Sequence, residues 1–573
     1  MNAAQSDLRI AVIQGNPLVG DLDGNLALIE KAVRSNADAE LVVFPECFVT
    51  GYPLQDYVLR PGFLASVDRA MATLAERIRA ISGPAILVGA PMAGTELPFN
   101  AAFLIRNDGS TSVAVKTELP NEDVFDERRV FSRGTDNKPL RLGDRKLGVM
   151  ICEDMWHGGV ARALADEGAD ILIVLNGSPM EIDKQPIRIG HARRRVRATG
   201  LPLIYANMTG GQDELVFDGG SFALDRRGHV VAQIPFEDRT LRLVAKTSED
   251  GGLELEPEDP LTAKQAYPDR LEASYRTMVV SVRDYVAKNR FENVLLGVSG
   301  GVDSALVAAI AADAIGPERV VGLMLPSVFT GGESKELAEE LFRRIGCKNG
   351  SVAIGKIAAA LDAARDEVIE AGIFGRKPDP KGLALSGENS QPRARGSLMM
   401  DLTNAFPGTL QLTTGNKSEN AVGYCTLYGD TAGCFNPIKD LYKTLVFDVC
   451  RWRNANRRDW MKGGDAPIPD AIVDRPPTAE LRDEQTDEEA LGAYPILDAV
   501  LDGLIERRLD PAEAARRAAA KLGRPVEASY AERIAKLIVS SEFKRRQTAP
   551  GVKLTPCSFG FGRRYPITGR LSL

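Results

Sequence analysis

The chain contains few histidines and no closely spaced cysteine pairs. Only His157, His191 and His229 occur among its 573 residues, which argues against a histidine-rich zinc site and makes a carboxylate the expected general base. Seven cysteines are spread without any CxxC pair. A sparse, odd set of this kind is typical of reduced thiols, so we expect a cytoplasmic protein without a disulfide framework.

Long apolar runs and a surplus of positive charge are absent as well. No run of about 18 apolar residues occurs, and no basic segment followed by an apolar core opens the chain, so we expect neither a membrane span nor a signal peptide. The net charge is −7 with 26% charged residues, which provides no basic field to attract nucleic acid. The expected partners are therefore small molecules, with neither nucleic acid nor membrane among them.

The length and one acidic stretch predict two large domains. Residues Glu249–Asp259, with the sequence EDGGLELEPED, carry six acids, two glycines and no basic residue. Such a composition is typical of an exposed, self-repelling connector. The predicted organisation is a first domain at 1–248, an acidic linker at 249–264 and a second domain at 265–573.

The first half predicts a layered α/β domain, because short apolar runs that fit buried strands alternate with helical stretches. Three of the runs end in a polar residue, namely Glu46, Cys152 or Asn176, and strand ends are where open α/β sheets build sites. The predicted strands are Ile10–Ile13, Leu41–Phe44, Ala85–Val88, Asn100–Ile105, Leu147–Ile151, Ile171–Leu175 and Ser221–Leu224, and the helices include Gly24–Ala37 and Ala65–Ile81.

The second half predicts a doubly wound parallel sheet of the Rossmann-like kind. The strand Val294–Val298 leads into the sequence SGGVDS, and the small and apolar residues of Ser304–Ala314 predict a helix directly after it. Further parallel strands are expected at Val320–Leu325 and Leu410–Thr413. The arrangement of strand, glycine-rich loop and helix predicts a nucleotide-binding site.

The loop itself suits a pyrophosphate group. Its glycines allow close approach of the backbone, while amide groups and two serine hydroxyls donate hydrogen bonds at a helix N-terminus. Asp303 would repel a bare phosphate, so we expect it to hold Mg²⁺. The predicted ATP-binding residues of this loop are Ser299, Gly300, Gly301, Val302, Asp303 and Ser304.

A second glycine-rich stretch, Gly350–Lys356, matches most of a Walker A loop. It lacks the hydroxyl residue that would contact magnesium, because Ile357 follows the lysine. It also follows an Asn-Gly turn in place of a convincing strand. We therefore interpret this match as a coincidence and do not expect Walker-type hydrolysis of ATP.

The SGGVDS loop resembles that of the N-type ATP pyrophosphatases, which cleave ATP between its α- and β-phosphates to adenylylate a substrate oxygen. The surrounding motifs resemble the NAD synthetase family over nearly all of residues 265–573. They are ENSQPRARG at Glu388–Gly396, TTGNKSE at Thr413–Glu419, GYCTLYGD at Gly423–Asp430, NPIKDLYKT at Asn436–Thr444 and FKRRQTAPGVKLT at Phe543–Thr555.

The resemblance implies roles for individual residues. Asp303 and Glu419 would be magnesium ligands, and Lys443 and Ser304 would face the ATP phosphates. Lys417, Lys443 and Arg395 are candidates for offsetting charge on pyrophosphate. The chain departs from the family pattern at Pro392, Ala394, Arg475 and the segment Leu325–Ser334. The implied ATP-binding residues beyond the loop are Arg395, Thr414 and Lys443, and those for deamido-NAD are Asn416, Glu419 and Lys544.

In the first half, a glutamate, a lysine and a cysteine follow one another in the motifs FPE, KTELPN and ICED. A thiol attacks an amide only after losing its proton, and with so few histidines Glu46 can be the base. Lys116 would stabilise the tetrahedral oxyanion at the carbon attacked by Cys152. Cys47 directly follows Glu46 and is expected on the opposite face of the strand as a structural residue.

Residues 6–245 resemble the nitrilase, or carbon–nitrogen hydrolase, superfamily through PECFVTGYP, the lysine segment, CEDMW and NGSP. The resemblance implies a four-layer α/β/β/α sandwich. It also implies contacts of Glu153 and Ser178 with glutamine, with Phe125 as a further candidate. Glu122 stands where the family often has an aromatic residue.

An amidase placed before such a synthetase resembles the arrangement of the glutamine-dependent NAD synthetases. The implied reaction uses Mg²⁺ and ATP as co-substrate, with ammonia from glutamine displacing AMP from adenylylated deamido-NAD. Because ammonia is protonated in water, we expect an enclosed passage between the sites. The resemblance also implies a homo-oligomer, either a dimer or an octamer.

Three alternatives stay open. The amidase half could be a scaffold in an ammonia-dependent synthetase, or the whole chain could be a catalytically silent nucleotide-binding regulator. A third alternative is another amidotransferase on the same loop, such as one that makes GMP. The nitrilase-type half argues against this third alternative, because such enzymes usually carry a different glutaminase.

Overall fold

The computed structural model describes residues 7–259, 265–478, 480–482, 487–560 and 562–568. The chain divides into two compact units, Met1–Asp269 and Arg270–Leu573. Among the described residues, none of the helices combines the length and apolar character that a membrane crossing requires.

The first unit contains two sheets. The first has the strand order β14-β13-β1-β2-β3-β4-β5, and the second has the order β10-β11-β9-β8-β7-β6, with β12 paired to β11. The strands are β1 Leu8–Gln14, β2 Leu41–Val43, β3 Ala85–Met92, β4 Phe99–Ile105, β5 Thr111–Val115, β6 Leu140–Leu142, β7 Arg145–Ile151, β8 Ile171–Asn176, β9 Leu203–Asn207, β10 Thr209–Gln212, β11 Leu215–Leu224, β12 Val230–Pro235, β13 Arg239–Thr247 and β14 Leu253–Pro257.

The two sheets share an apolar core, to which alternate residues such as Ile10 and Val12 of β1 and Val149 and Ile151 of β7 contribute. Helices cover the outer face of each sheet. They are Leu22–Ser35 and Pro61–Ile81 on the first sheet, and Gly158–Asp166 and Lys184–Thr199 on the second. This arrangement confirms the predicted α/β/β/α sandwich.

The prediction of an exposed connector is wrong for Leu253–Pro257, which form edge strand β14. Leu253 and Leu255 alternate with glutamates and are only 2% exposed, so their burial outweighs the acidic composition. Glu256 is paired with Lys246 of the neighbouring β13. The remainder of the predicted linker, 260–264, lies outside the described residues.

The second unit contains a four-stranded parallel sheet of order β17-β16-β15-β18, which confirms the predicted sheet type. Its strands are β15 Asn293–Gly297, β16 Val320–Met324, β17 Lys348–Ser351 and β18 Thr409–Leu412. Chain order reverses between β15 and β18, and such a switch point is where doubly wound sheets bind ligands. The expected Asn-Gly turn is wrong, because Asn349 and Gly350 belong to β17.

Helices surround this sheet and form a further apolar cluster towards the end of the chain. The helix after β15 is buried along almost its whole length. The helices are Arg270–Lys288, Val302–Ile315, Gly332–Ile345, Gly355–Glu370, Pro380–Ala405, Lys417–Val422, Lys443–Ala455, Asp470–Asp474, Asp487–Leu491, Tyr494–Leu501, Pro511–Leu522, Ala528–Ser540 and Glu542–Arg545.

Two candidate active sites

Glu46 and Lys116 form a buried ion pair in the first unit. Glu46 follows β2, Lys116 follows β5, and Lys116 Nζ lies 2.8 Å from Glu46 Oε1. The same ammonium lies 2.8 Å from Glu127 Oε2. Burial opposes the charge on Lys116, but the two carboxylates outweigh it and raise the pKa of Lys116 well above its ordinary value. The lysine is therefore a fixed cation inside the protein.

Glu46 is oriented by three donors. Its Oε1 accepts hydrogen bonds from Lys116 and from Asn100 Nδ2, the latter at 2.8 Å, and its Oε2 accepts one from the Gly177 N–H at 2.8 Å. Gly177 follows β8, so the second sheet contributes to holding a side chain of the first. A carboxylate with this many donors has a fixed direction, which suits a general base.

Cys152 follows β7 at the edge of the core between the sheets. It is 5% exposed and adopts a positive φ of 46°. Burial raises the pKa of its thiol well above the ordinary value, the charge of Glu46 adds to the rise, and Lys116 opposes it. At rest the group is therefore a thiol, and it needs a base before it can attack.

Asp154 connects the cysteine turn to the lysine segment. One carboxylate oxygen accepts hydrogen bonds from the N–H groups of Thr117 and Glu118, at 3.0 and 2.7 Å, and the other accepts one from Ile151 at 2.9 Å. Since Thr117 follows Lys116 and Ile151 precedes Cys152, this buried side chain fixes the two segments to each other.

Sequence analysis missed Glu127. This buried carboxylate contacts Lys116 and accepts a hydrogen bond from Tyr52 Oη at 2.9 Å. Burial raises the pKa of Glu127 to about 7, with Lys116 acting in the opposite direction. Glu127 begins the short 3₁₀ helix Glu127–Arg129 between β5 and β6, where no strand pattern marks it. The sequence signal is weak, because Asp126 and Glu127 are both acids between apolar Phe125 and Val130.

The predicted glutamine-binding residues lie on three different segments of the first unit. Ser178 is buried next to Gly177, and its backbone N–H donates to Asn207 Oδ1 at 2.9 Å. Glu153 Oε1 lies 3.0 Å from His157 Nε2. Phe125 packs in an apolar cluster that includes Tyr52. These positions stay predictions for glutamine contacts.

Cys47 is buried in the same apolar cluster, where its Sγ lies 3.5 Å from Asn100 Oδ1. The predicted position of Cys47 on the opposite face of a strand is wrong. Strand β2 ends at Val43, and Cys47 adopts a positive φ of 47° in the turn that follows. Burial raises the pKa of Cys47 well above its ordinary value.

In the second unit, the SGGVDS loop connects β15 to the helix that begins at Val302. Ser304 Oγ donates to the Gly301 carbonyl at 3.0 Å and accepts from the Ser299 N–H at 3.2 Å, which closes the loop on itself. Gly300 has a φ of 81°, and a Cβ there would lie 2.4 Å from the Ser334 carbonyl oxygen. Glycine is required at this position.

Asp303 and Glu419 converge on one ammonium. Lys443 Nζ forms an ion pair with Asp303 and lies 3.3 Å from Glu419 Oε1. Asn416 Nδ2 donates to Asp303 Oδ1 at 3.0 Å, and the Asn416 backbone N–H donates to Glu419 Oε2 at 3.4 Å, so Asn416 contacts both carboxylates. Two adjacent carboxylates that share a cation fit the oxygen ligands of Mg²⁺, which completes its shell with substrate phosphates and water. Among the described residues, no group of three or more metal-ligating side chains occurs.

Asp303, Glu419 and Lys443 line a cavity of about 330 Å³ at the carboxyl ends of β15 and β18, whereas Asn416 is not on its wall. Predicted residues on its wall include the whole loop, Glu419, Lys443, Arg395 and Thr414. Arg395 Nε donates to the Leu325 carbonyl at 2.9 Å. The departures Pro392 and Arg475 also lie on the wall, and Arg475 donates to Ser334 Oγ at 2.6 Å.

Two predicted cations do not line this cavity. Lys417 is fully buried, and its Nζ lies 2.7 Å from Asp440 Oδ1 and 2.5 Å from Glu506 Oε1. The expectation that Lys417 offsets pyrophosphate charge is therefore wrong. Lys544 donates to the carbonyl groups of Gly423 and Cys425 at 2.8 and 2.9 Å. Its contact with deamido-NAD stays a prediction.

Comparison with known proteins gave matches to both halves. The family model for carbon–nitrogen hydrolase matches residues 9–250, and that for NAD synthase matches residues 274–548. The glutamine-dependent NAD(+) synthetase of Rhodobacter capsulatus is 44% identical over 570 residues, with 98% of each chain covered. That of Thermotoga maritima is 38% identical, with 98% of this chain and 99% of the relative covered.

Among solved structures, the glutamine-dependent NAD+ synthetase of Acinetobacter baumannii in complex with ADP is 33% identical, with a TM-score of 0.73 and 98% of each chain covered. The glutamine-dependent NAD(+) synthetase of Cytophaga hutchinsonii gives a TM-score of 0.75 at 21% identity and 98% coverage of each chain, which shows the same fold.

Proposed function

The chain belongs to the glutamine-dependent NAD(+) synthetases, and from this premise we propose that it makes NAD(+) from deamido-NAD, ATP and glutamine. The observation that carries the proposal is the buried Glu46–Lys116 pair beside Cys152, in a chain that also holds the SGGVDS loop. A fully buried ion pair is costly to maintain in a mere scaffold, so its presence supports an active glutaminase.

In the glutaminase reaction, Glu46 takes the proton of the Cys152 thiol as sulfur attacks the amide carbon of glutamine. Lys116 stabilises the negative charge that develops on the amide oxygen. Glu46 then returns the proton to the departing nitrogen, which leaves as ammonia and gives a thioester. Water, deprotonated by Glu46, attacks the thioester and releases glutamate and the thiol.

In the synthetase reaction, an oxygen of the nicotinate carboxylate of deamido-NAD attacks the α-phosphorus of ATP, and pyrophosphate leaves. The amide groups of the loop and the hydroxyls of Ser299 and Ser304 hold the phosphates, and Lys443 adds positive charge. Asp303 and Glu419 would hold Mg²⁺, which supplies further positive charge to the phosphates when it is bound. Ammonia attacks the acyl carbon, AMP leaves, and loss of a proton gives the amide of NAD(+).

Location and assembly are part of the same proposal. The sparse, free cysteines and the biosynthetic reaction support a cytoplasmic enzyme. Membership of the family supports a homo-oligomer, for which we propose a dimer or an octamer. Size-exclusion chromatography with light scattering would distinguish these two states from a monomer.

The function is tested by following NAD(+) with deamido-NAD and ATP present, and with either glutamine or ammonium as the nitrogen donor. We expect NAD(+) from both donors, and one pyrophosphate and one AMP for each NAD(+). Formation from ammonium alone would instead support a synthetase with a scaffold amidase. No pyrophosphate with either donor would support a silent nucleotide-binding protein.

A further inference from the structure

The segment that leads out of the first unit is anchored inside that unit. Tyr267 lies three residues before Arg270, where the second unit begins, and its hydroxyl donates a hydrogen bond to Asp218 Oδ2. Its ring contacts Phe236 with 6.1 Å between the ring centroids. Nearby, the Gln265 N–H donates to the Gln233 carbonyl at 3.2 Å, and Gln233 Nε2 donates back to the Gln265 carbonyl at the same distance.

Asp218 forms a buried, two-pronged ion pair with Arg188. The guanidinium nitrogens of Arg188 lie 2.8 and 2.9 Å from the two carboxylate oxygens, and both side chains are almost completely removed from solvent. Burial opposes the charge on Arg188, but Asp218 outweighs it and raises the pKa of the arginine. The planar guanidinium therefore takes its direction from Asp218.

Arg188 also donates to Gln185 Oε1 at 3.2 Å and to the segment that follows β8. Its Nε donates to Ser178 Oγ at 3.1 Å, and a terminal nitrogen donates to the carbonyl groups of Ser178 and Pro179, both at 2.9 Å. The residue before Ser178 is Gly177, whose N–H donates to Glu46 Oε2 at 2.8 Å. Hydrogen bonds and one short stretch of backbone, from Ser178 to Gly177, thus connect the Tyr267 hydroxyl to the catalytic base.

A buried network of this kind depends on each of its members. Arg188 and Asp218 are both buried, so loss of the Tyr267 hydroxyl would remove one donor from Asp218 Oδ2 and would allow the Arg188–Asp218 pair to shift. A shift of Arg188 would displace Ser178 most, because the hydroxyl and the carbonyl of Ser178 both accept hydrogen bonds from Arg188. Glu46 would respond less, because Lys116 and Asn100 still fix its other oxygen.

We propose that Tyr267 is a positioning residue for glutamine. Its hydrogen bond to Asp218 holds the orientation of Arg188, and Arg188 in turn holds Ser178 in place on the wall of the glutamine pocket. This inference rests on the proposed glutaminase function and adds to it a residue from the junction between the units. The glutamine pocket is then complete only when the junction segment is seated on the first unit.

The test is Tyr267→Phe in the full-length chain, which removes one hydroxyl and keeps the ring contact with Phe236. In glutamine-driven NAD(+) synthesis, we expect the KM for glutamine to rise roughly tenfold while kcat changes less than about twofold, because the affected contacts position substrate. Ammonia-driven synthesis should keep its wild-type rate. Tyr57→Phe is the matched control, since it makes the same change in the same unit on a ring that is 53% exposed.

Two outcomes would overturn the inference. One is a KM for glutamine equal to that of the Tyr57→Phe variant. The other is a parallel fall of the glutamine-driven and ammonia-driven rates, which would give Tyr267 a general structural role. A wild-type enzyme that makes no NAD(+) from either donor would instead contradict the proposed function, so the two failures are distinguishable.

Discussion

We propose Glu46 as the general base of the glutaminase reaction, because its carboxylate pairs with Lys116 at 2.8 Å and its negative charge acts on the thiol of Cys152. Replacing Glu46 with glutamine keeps the size of the side chain and removes the base. We expect Glu46→Gln to lower glutamine-driven NAD(+) synthesis by about 10³-fold, within the range for lost general base catalysis. Ammonia-driven synthesis measured on the same sample should be unchanged.

Glu76→Gln is a suitable control for this substitution, since Glu76 is exposed on the helix Pro61–Ile81 of the same unit. A Glu46→Gln variant that keeps its glutamine-driven rate would show that another group takes the proton of Cys152. Equal loss with glutamine and ammonium would indicate a folding defect.

The raised pKa of the Cys152 thiol predicts how the reactivity of this residue depends on pH. Its charged form is the thiolate, which burial and the neighbouring Glu46 disfavour, so the pKa lies well above the ordinary value of 9.0. The rate of alkylation of Cys152 by iodoacetamide, followed by mass spectrometry of its peptide, should therefore rise with pH and show no plateau below pH 9.0. A plateau in the neutral range would show a preformed thiolate and contradict the assigned role of Glu46.

Sequence alone could locate residues that end strands but not those whose partners are distant in sequence. Glu46 and Lys116 each follow an apolar or alternating run, and the structure brings them to 2.8 Å. Glu127 and the Arg188–Asp218 pair could not be foreseen, because their importance comes from burial and from contacts across the fold. Lys417 shows the reverse error, since a motif position says nothing about which way its side chain points.

At the scale of elements, the loop between β15 and the helix Val302–Ile315 has one position where only glycine fits. An alanine at Gly300 would meet the Ser334 carbonyl and would adopt an unfavourable positive φ. We expect Gly300→Ala to reduce pyrophosphate release from ATP and deamido-NAD by at least about 100-fold, because small misplacements of a phosphate site are costly. Glutamine hydrolysis measured without nucleotide should persist.

Gly355→Ala is the matched control for the loop. Gly355 begins the helix Gly355–Glu370, is exposed, and has open space where a Cβ would stand. It also belongs to the stretch that matches most of a Walker A loop. Loss of pyrophosphate release in Gly355→Ala, with Gly300→Ala active, would assign the phosphates to that second stretch and contradict the SGGVDS site.

The elements themselves were mostly predictable where apolar runs were long and buried. Strands β1, β3, β7, β8, β15 and β16 and the first two helices overlap their predicted ranges. The errors at β14 and β17 share a cause: both are short edge strands of polar composition, which pairing with a neighbouring strand stabilises more than their own propensity does. Their composition indicated a connector and a turn, but pairing with β13 and β16 makes both segments strands.

At the scale of the whole molecule, two different chemistries occur in one chain. A buried thiol and carboxylate in the first unit would release ammonia, and a phosphate loop in the second would prepare its acceptor. Each half could be recognised separately from its motifs. Their cooperation could not, since periodicity and composition carry no information about the transfer of a small neutral molecule from one site to another.

The last prediction concerns this transfer. A Cys152→Ala chain would lack the glutaminase nucleophile, and an Asp303→Asn chain would lack a carboxylate of the phosphate site. If ammonia passes from site to site without entering bulk water, an equimolar mixture of the two separately purified variants, supplied with glutamine alone, should make NAD(+) at only a small fraction of the wild-type rate. Ammonia released into neutral water is protonated and loses its nucleophilicity, so transfer through solution is inefficient.

Two measurements on the same mixture complete the test. Added ammonium should restore NAD(+) synthesis, because the Cys152→Ala chain keeps an intact synthetase site. Glutamate should form throughout, because the Asp303→Asn chain keeps an intact glutaminase. With both halves shown to be active in this way, recovery of the wild-type rate from glutamine alone would mean that ammonia diffuses freely between molecules, and the expectation of an enclosed passage would be wrong.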